Sequence, residues 1–297
     1  MTIGTACAIC SSETSEVATV VGKFSGRRFD LRRCSACLFT FVSNPWLEFD
    51  EIYGDDYYSG RGADPLVNYV DEIANPDATI RTYEWRGLWK RVSSLTGVTP
   101  DTRWLDYGCG VGGLVTFLRE RGIENATGFE QGWSVPRLRQ RRIPFLTEEE
   151  LDAHEGYFDV VTAIEVIEHT LDPVAELRRI RKLLRPGGLL FLTTGNAKPF
   201  RSRLEKWSYI VPEVHVSYFE PETLALALAH AGFVPEFPGY GRGWSDIIRF
   251  KVLKNLRRRR TSPLFSLVPW GLLGRVVNQR LEVAAQPIGW AKGPNGP

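Results

Sequence analysis

From residue 102 onward, short apolar runs alternate with stretches whose hydrophobic side chains recur every three or four positions. TRWLDYG (102–108), NATGFE (125–130), IPFL (143–146), YFDVVTAIE (157–165) and LLFLTTGN (189–196) read as strands. Between them, LVTFLRERG (114–122) predicts a helix closed by Gly122, and SVPRLRQRR (134–142) predicts a second. Asp172 followed by Pro173 marks the cap and first position of a third helix, which runs through VAELRRIRKLL to a Pro186-Gly187-Gly188 turn. PETLALALAHAGF (221–233) is a further helix feeding a sixth strand, and RLEVAAQPIGWAKG (280–293) holds a last one. Strand–helix alternation of this kind predicts an α/β fold, with a parallel sheet covered by helices on both faces. Ligands are then expected at the carboxyl ends of the strands. Upstream, residues 78–96 predict a helix with Trp85, Leu88, Trp89 and Val92 along one face.

The first 43 residues follow a different pattern. Two strand-like stretches, 17–24 and 27–33, lie between the pairs Cys7/Cys10 and Cys34/Cys37. Two CxxC knuckles at this spacing indicate a four-sulfur zinc site, structural because it leaves no open position. Zinc also explains how so short a segment with little hydrophobic mass could fold. The expected divisions are a zinc ribbon over 1–43, an aromatic and acidic connector over 44–77, a core domain over 78–244 and a C-terminal extension over 245–297. Composition excludes little. Apolar residues make up 43% of 297, and the net charge of +2 gives no general attraction for nucleic acid. No signal-peptide pattern and no apolar run of membrane-spanning length are present, which points to the cytosol.

LDYGCGVGG (105–113) joins a strand, a glycine-rich turn and a helix start. Gly108, Gly110 and Gly113 satisfy GxGxxG, and Glu130 ends the next strand, where a carboxylate can accept hydrogen bonds from ribose hydroxyls. NAD and S-adenosylmethionine share that ribose. Asp106 places a carboxylate beside the loop where a cationic amino group could be held, and the absence of any YxxxK pair disfavours short-chain oxidoreductases. FDVVTAIEVIEH (158–169), LRPGGLLFLTT (184–194) and HVSYFEPETLALALAHAGF (215–233) follow in that order. Over roughly residues 80–240 the chain thereby closely resembles the class I S-adenosylmethionine-dependent methyltransferases.

The resemblance implies a seven-stranded, mostly parallel Rossmann-like sheet whose last strand is antiparallel. It implies that Asp106, Gly108, Gly110 and Gly112 surround the methionine portion of the cofactor. Glu130, with Gln131 beside it, would take the ribose, and Ala163, Ile164 and Glu165 would stand beside the sulfonium. For the adenine, Glu148, Glu149 or the Leu151-Asp152 turn could serve.

The end of the fourth strand carries Glu165, Glu168 and His169, which fall on one face of a helical turn. His215 follows the fifth strand; His154 lies in a polar loop and His230 on a helix. The E-x-x-E-H cluster with a later histidine resembles methyltransferases of ubiquinone biosynthesis and those acting on small-RNA 3′ ends. In the latter group, the matching residues bind a divalent ion. Glu165, Glu168, His169 and His215 would then hold Mg²⁺ or Mn²⁺, the latter more tolerant of nitrogen. EVHVSYF (213–219) also resembles a stretch of bacterial sugar methyltransferases that supplies a histidine base, with one residue inserted between Glu213 and His215. The third possibility is a purely structural cluster. His215, His169 and Glu168 are thus the candidate catalytic groups.

Residues 245–277 join an apolar–basic helix, Arg257 to Arg260, and a Trp- and Leu-rich stretch. They suit an ordinary helix with a solvated charge run, an interfacial helix on anionic lipid, a substrate lid or a dimer surface. The expectation is a cytosolic enzyme, with membrane association left open, O-methylating a hydroxyl of a sugar, glycan or other small-molecule precursor. RNA 2′-O-methylation, sugar C-methylation and a zinc-ribbon interaction module with a degenerate domain are the alternatives.

Overall fold

The computed structural model describes residues 6–63, 68–239, 241–277 and 280–288. Eleven strands are found among them. β1 (Thr14–Val21), β2 (Arg28–Cys34) and β3 (Thr40–Val42) come first, followed by β4 (Trp104–Tyr107), β5 (Ala126–Phe129) and β6 (Phe145–Leu146). β7 (Phe158–Ile164), β8 (Leu184–Gly195), β9 (Ser217–Tyr218), β10 (Phe233–Glu236) and β11 (Arg280–Pro287) complete the set. They form a four-stranded sheet, β1-β2-β3-β9, and a seven-stranded sheet ordered β10-β11-β8-β7-β4-β5-β6. β4, β5 and β6 pair in parallel, as do β7 and β8. β11 runs antiparallel to both β8 and β10. The seven strands and the reversed last strand agree with the expected fold. Residues 289–293 of the final apolar stretch lie outside the described residues.

Two compact units emerge. One comprises Met1–Ile52, Asp152–Phe237 and Gln279–Pro297; the other comprises Tyr53–Leu151 and Pro238–Asn278. In the first unit, Phe158, Val160 and Val161 of β7 are buried with Leu190, Phe191 and Leu192 of β8 and Val283 of β11. Continuous apolar runs of this sort are what two-sided burial of a strand requires. The Pro-Gly-Gly segment does not stand outside the strand as a separate turn, which is what the sequence suggested. It is an irregularity near the start of β8, where pairing jumps from Phe158↔Leu184 to Val160↔Leu189, with Gly187 at φ +73°. The helix Pro173–Leu183 is capped as expected, Asp172 accepting from the Ala175 N–H at 2.9 Å.

In the second unit, the helix Arg81–Thr96 packs against the helix Trp244–Asn255. Gly87 and Gly243 allow the approach. A Cβ on Gly243 would lie 2.1 Å from the Gly87 carbonyl, and one on Gly87 would lie 2.6 Å from Ile247. Asp246 accepts from Arg86 at 2.7 Å and Lys90 at 2.9 Å. Burial pushes its carboxyl up, but those two cations outweigh it and hold it below the usual range. Ile80, Tyr83, Trp244, Ile248, Phe250, Leu253 and Trp270 make one buried cluster. The apolar face of residues 244–255 is therefore spent inside the protein. No helix among the described residues is long and apolar enough to cross a membrane.

Candidate active site

In the second unit, β4 delivers Asp106, which is buried, and then the glycine turn. Gly108, Gly110 and Gly112 have φ of +74°, +57° and +81°, a region in which any side chain is strained. Gly112 is also sterically closed, since a Cβ there would lie 2.7 Å from Ile143. Gly113 would place one 2.2 Å from Trp85. The Gly110 N–H donates to Glu130 Oε2 at 2.6 Å, and the Gln131 N–H donates to Oε1 at 2.9 Å. Each oxygen retains a lone pair for a ribose hydroxyl. Burial raises the Glu130 carboxyl above its usual range while these two N–H groups pull against it. Cys109 is buried, and burial with the charges of Glu130 and Asp106 pushes its thiol well up, so it stays protonated and inert.

The aromatic groups around Glu130 carry no motif that the sequence would reveal. Tyr58 stacks on Trp133 with centroids 4.1 Å apart and planes at 6°. The Trp133 indole N–H donates to Asp55 at 2.8 Å. Burial and then the Glu130 charge push the Tyr58 phenol up. The Gln131 amide donates to Glu148.

In the first unit, β7 places Ala163 and Ile164 at its carboxyl end opposite Leu192 and Thr193 of β8. Glu165 follows at φ +56°, an unusual state for a residue with a side chain. Its carboxylate pairs with Arg280 at 3.1 Å and accepts from the Tyr209 hydroxyl at 3.0 Å. Glu168 is fully buried, and its Oε1 also meets the Tyr209 hydroxyl. Burial, and then the neighbouring Glu165 charge, push the Glu168 carboxyl up to about 8. Its Oε2 has no hydrogen-bond partner among the described residues.

His215 Nδ1 lies 2.8 Å from the Tyr209 carbonyl oxygen. A carbonyl only accepts, so Nδ1 carries the proton and Nε2 carries the lone pair. The imidazole stacks on the Tyr209 ring at 4.2 Å and meets His169 edge-on at 5.0 Å. Glu168, His169 and His215 offer ligand atoms all within 4.8 Å of one another. Three of the four expected groups therefore converge. Glu165 is not in that group; its carboxylate meets Arg280 and Tyr209. His154 stacks on Phe158, and His230 Nδ1 bonds the Ile9 carbonyl at 2.8 Å, so neither joins the cluster. Tyr209 and Arg280 have no signature in the sequence: each is a lone residue in no motif, far along the chain from the acids it serves.

Cys7, Cys10, Cys34 and Cys37 also converge. Cys7 and Cys37 sulfurs are 3.5 Å apart, and those of Cys10 and Cys34 are 3.4 Å apart. Tetrahedral zinc–thiolate bonds need sulfurs about 3.8 Å apart, a small expansion. The hydrogen bond with Cys37 lowers the Cys7 thiol to about 5 and raises that of Cys37, so the pair shares a proton that a metal ion would displace.

A family model described as a methyltransferase domain matches residues 78–236. The ubiquinone biosynthesis O-methyltransferase of Pseudomonas aeruginosa (strain UCBPP-PA14) is 38% identical over 107 residues, which is 32% of this chain and 45% of that protein. The protein of the same description from Aeromonas salmonicida (strain A449) is 36% identical over 152 residues, covering 44% and 63%. The chain thus spans about half the length of these relatives. Among solved structures, an S-adenosylmethionine-dependent methyltransferase from Mesorhizobium loti aligns with TM-score 0.48 at 17% identity, over 69% of this chain and 99% of that one. A complex of the Haloferax volcanii Trm112 methyltransferase activator with its putative methyltransferase aligns at 0.49 and 14%, covering 76% and 96%.

Proposed function

The chain belongs to the methyltransferase domain family, and from that premise we propose that it transfers the methyl group of S-adenosylmethionine to a hydroxyl oxygen of a small-molecule precursor. Asp106 and the glycine turn hold the methionine portion, and Glu130 takes the ribose. His215 carries the reading: with Nδ1 fixed as donor to the Tyr209 carbonyl, its Nε2 is the base. The hydroxyl proton passes to Nε2 while the oxygen bonds the methyl carbon. The carbon–sulfur pair returns to sulfur, leaving S-adenosylhomocysteine. A positioned base of this kind contributes about 10²–10⁴-fold.

Glu168, His169 and His215 also fit a divalent ion, with two nitrogens favouring Mn²⁺ over Mg²⁺. When bound, such an ion would lower the pKa of a coordinated hydroxyl. The relatives' description, O-methylation in ubiquinone biosynthesis, favours an acceptor of the ubiquinone-precursor kind; the N-terminal cysteine segment favours a sugar or glycan. Incubation with methyl-labelled S-adenosylmethionine and a panel of catechols and sugar nucleotides distinguishes them. His215→Ala should lower turnover by about 10²–10⁴-fold with S-adenosylhomocysteine affinity retained. Full activity in that variant removes the base. Activity indifferent to EDTA and to added Mn²⁺ removes the ion.

We also propose that residues 256–273 touch anionic membrane surface. Arg257 to Arg260 are exposed and, with Phe265, line an open depression of about 440 Å³. Leu264 and Leu267, 71% and 79% exposed, stand in the adjoining segment with Leu256 and Leu272. Apolar side chains beside a basic run suit the headgroup boundary. Co-sedimentation with phosphatidylglycerol vesicles but not phosphatidylcholine vesicles, abolished by Arg257→Glu with Leu267→Glu, is the expected result; equal recovery from both rejects it.

A further inference from the structure

Glu213 lies two residues before His215 and is 1% exposed. Its Oε1 is held by neutral donors. That oxygen accepts from the Phe24 N–H at 3.0 Å, the Ser25 N–H at 3.2 Å and the Ser25 hydroxyl at 3.2 Å. All three donors sit on the turn joining β1 to β2 in the cysteine ribbon. Gly22 opens that turn and is shaped to Glu213: a Cβ there would lie 2.1 Å from Glu213 Oε1 and 2.8 Å from Phe29. On the other side of His215, the Val216 carbonyl accepts from the Val42 N–H at 2.9 Å. Ser217 and Tyr218 then pair with Phe41 and Thr40, so β9 is the ribbon sheet's fourth strand. The Val216 N–H donates to the Glu168 carbonyl at 2.8 Å. His215 is therefore slung between two anchors, both on the ribbon, and its loop is tied in turn to the buried acid.

We propose that Glu213 is a positioning residue, clasping the β1–β2 turn of the ribbon and thereby setting where the His215 imidazole stands beside Glu168 and His169. The proposal deepens the reading of His215 as the working group and rests on it for its functional meaning. The ribbon thereby gains a second role, since its sheet supplies the template on which the histidine loop is laid. Further bonds join the cysteine knuckles to the same unit, Thr223 donating to the Cys37 carbonyl at 2.7 Å and His230 bonding that of Ile9. A buried carboxylate held by oriented N–H groups is geometrically demanding, because each donor must stay aimed at one oxygen. Such a contact fixes position better than an apolar one of equal size.

The test needs no acceptor substrate. The chain has four histidines, so ring-labelled protein gives four imidazole signals, assignable by substitution. Glu213→Ala should displace or broaden the His215 and His169 signals. His154, which stacks on Phe158, and the calorimetric Kd for S-adenosylhomocysteine should stay within about twofold of the parent. Glu213→Gln keeps an amide carbonyl for the same donors and should restore the parent spectrum. Unmoved His215 and His169 signals in Glu213→Ala overturn the proposal, as does an equal displacement in Glu213→Gln. Should Glu213→Ala fail to fold, Ser25→Ala decides. It removes one donor of three and should move the same two signals by less; no movement overturns the proposal. Methyl transfer is not read, so a fully active His215→Ala would sink the catalytic reading without touching this one.

Discussion

Tyr209 organises the acidic cluster through a single phenol. Its hydroxyl lies against Glu165 and Glu168, receives the Gly195 N–H at 3.1 Å, and its carbonyl fixes the His215 tautomer. Two carboxylates this close cannot both ionise cheaply, and the buried one, Glu168, keeps its proton to about pH 8. In the unfolded chain a glutamate gives up its proton near about 4.3. Between those values the folded state binds more protons, so stability falls as pH rises through the window. Glu168→Gln should remove that slope: in EDTA, its Tm should gain on the parent progressively from about pH 5 to about pH 8. A constant difference would refute the assignment. At Glu130, Ala in place of the carboxylate removes a charged acceptor, worth about 1.5–3 kcal/mol when it binds a hydroxyl. Affinity for S-adenosylhomocysteine should fall roughly 10–150-fold by that figure, with unchanged affinity refuting the ribose assignment.

Elements are held by local rules with few exceptions. Gly110 has open space where a Cβ would stand, yet its φ is +57°, so its cost to substitution is purely that of the backbone. Gly110→Ala should destabilise by about 1–2 kcal/mol; Gly112→Ala should cost more, because Ile143 and Leu138 fill its Cβ position. Urea unfolding of the two variants checks the order, and equal losses would refute the steric distinction. The glycine turn, the Asp172 cap and the strand at 158–164 each carry a pattern confined to a few consecutive positions, and the sequence displayed them. The true length of β8 was hidden, because Pro186-Gly187-Gly188 carries a turn signal, whereas β7 pairs on both sides of it, at Leu184 and again from Leu189. For residues 245–277 the sequence offered an ordinary helix with a solvated charge run, an interfacial helix, a lid or a dimer surface; Gly87 and Gly243 let the helix Arg81–Thr96 take the apolar face of residues 244–255.

For the whole molecule, the ribbon's small core makes metal the expected source of its order. Chelation by a strong zinc ligand should release residues 6–43 to hydrogen exchange. Retained protection there would show that the ribbon folds on its hydrophobic contacts alone. Because β9 closes the ribbon sheet, residues 213–219 should lose protection with it, while residues 104–130 of the other unit keep theirs.

The sequence by itself determined the strand–helix order, the reversal of the last strand through family likeness, the glycine turn with Glu130 at the end of the next strand, and the cysteine framework. Each of these is written in spacing along the chain, where periodicity, backbone freedom and short-range ligand geometry act. It also brought Glu168, His169 and His215 together as candidates. Only the tertiary structure decided that Glu165 pairs with Arg280, that Tyr209 joins the two acids, and that Glu213 grips a turn 189 positions away. Buried polar groups must find partners wherever the fold supplies them, and partners chosen by proximity in space leave no period to read.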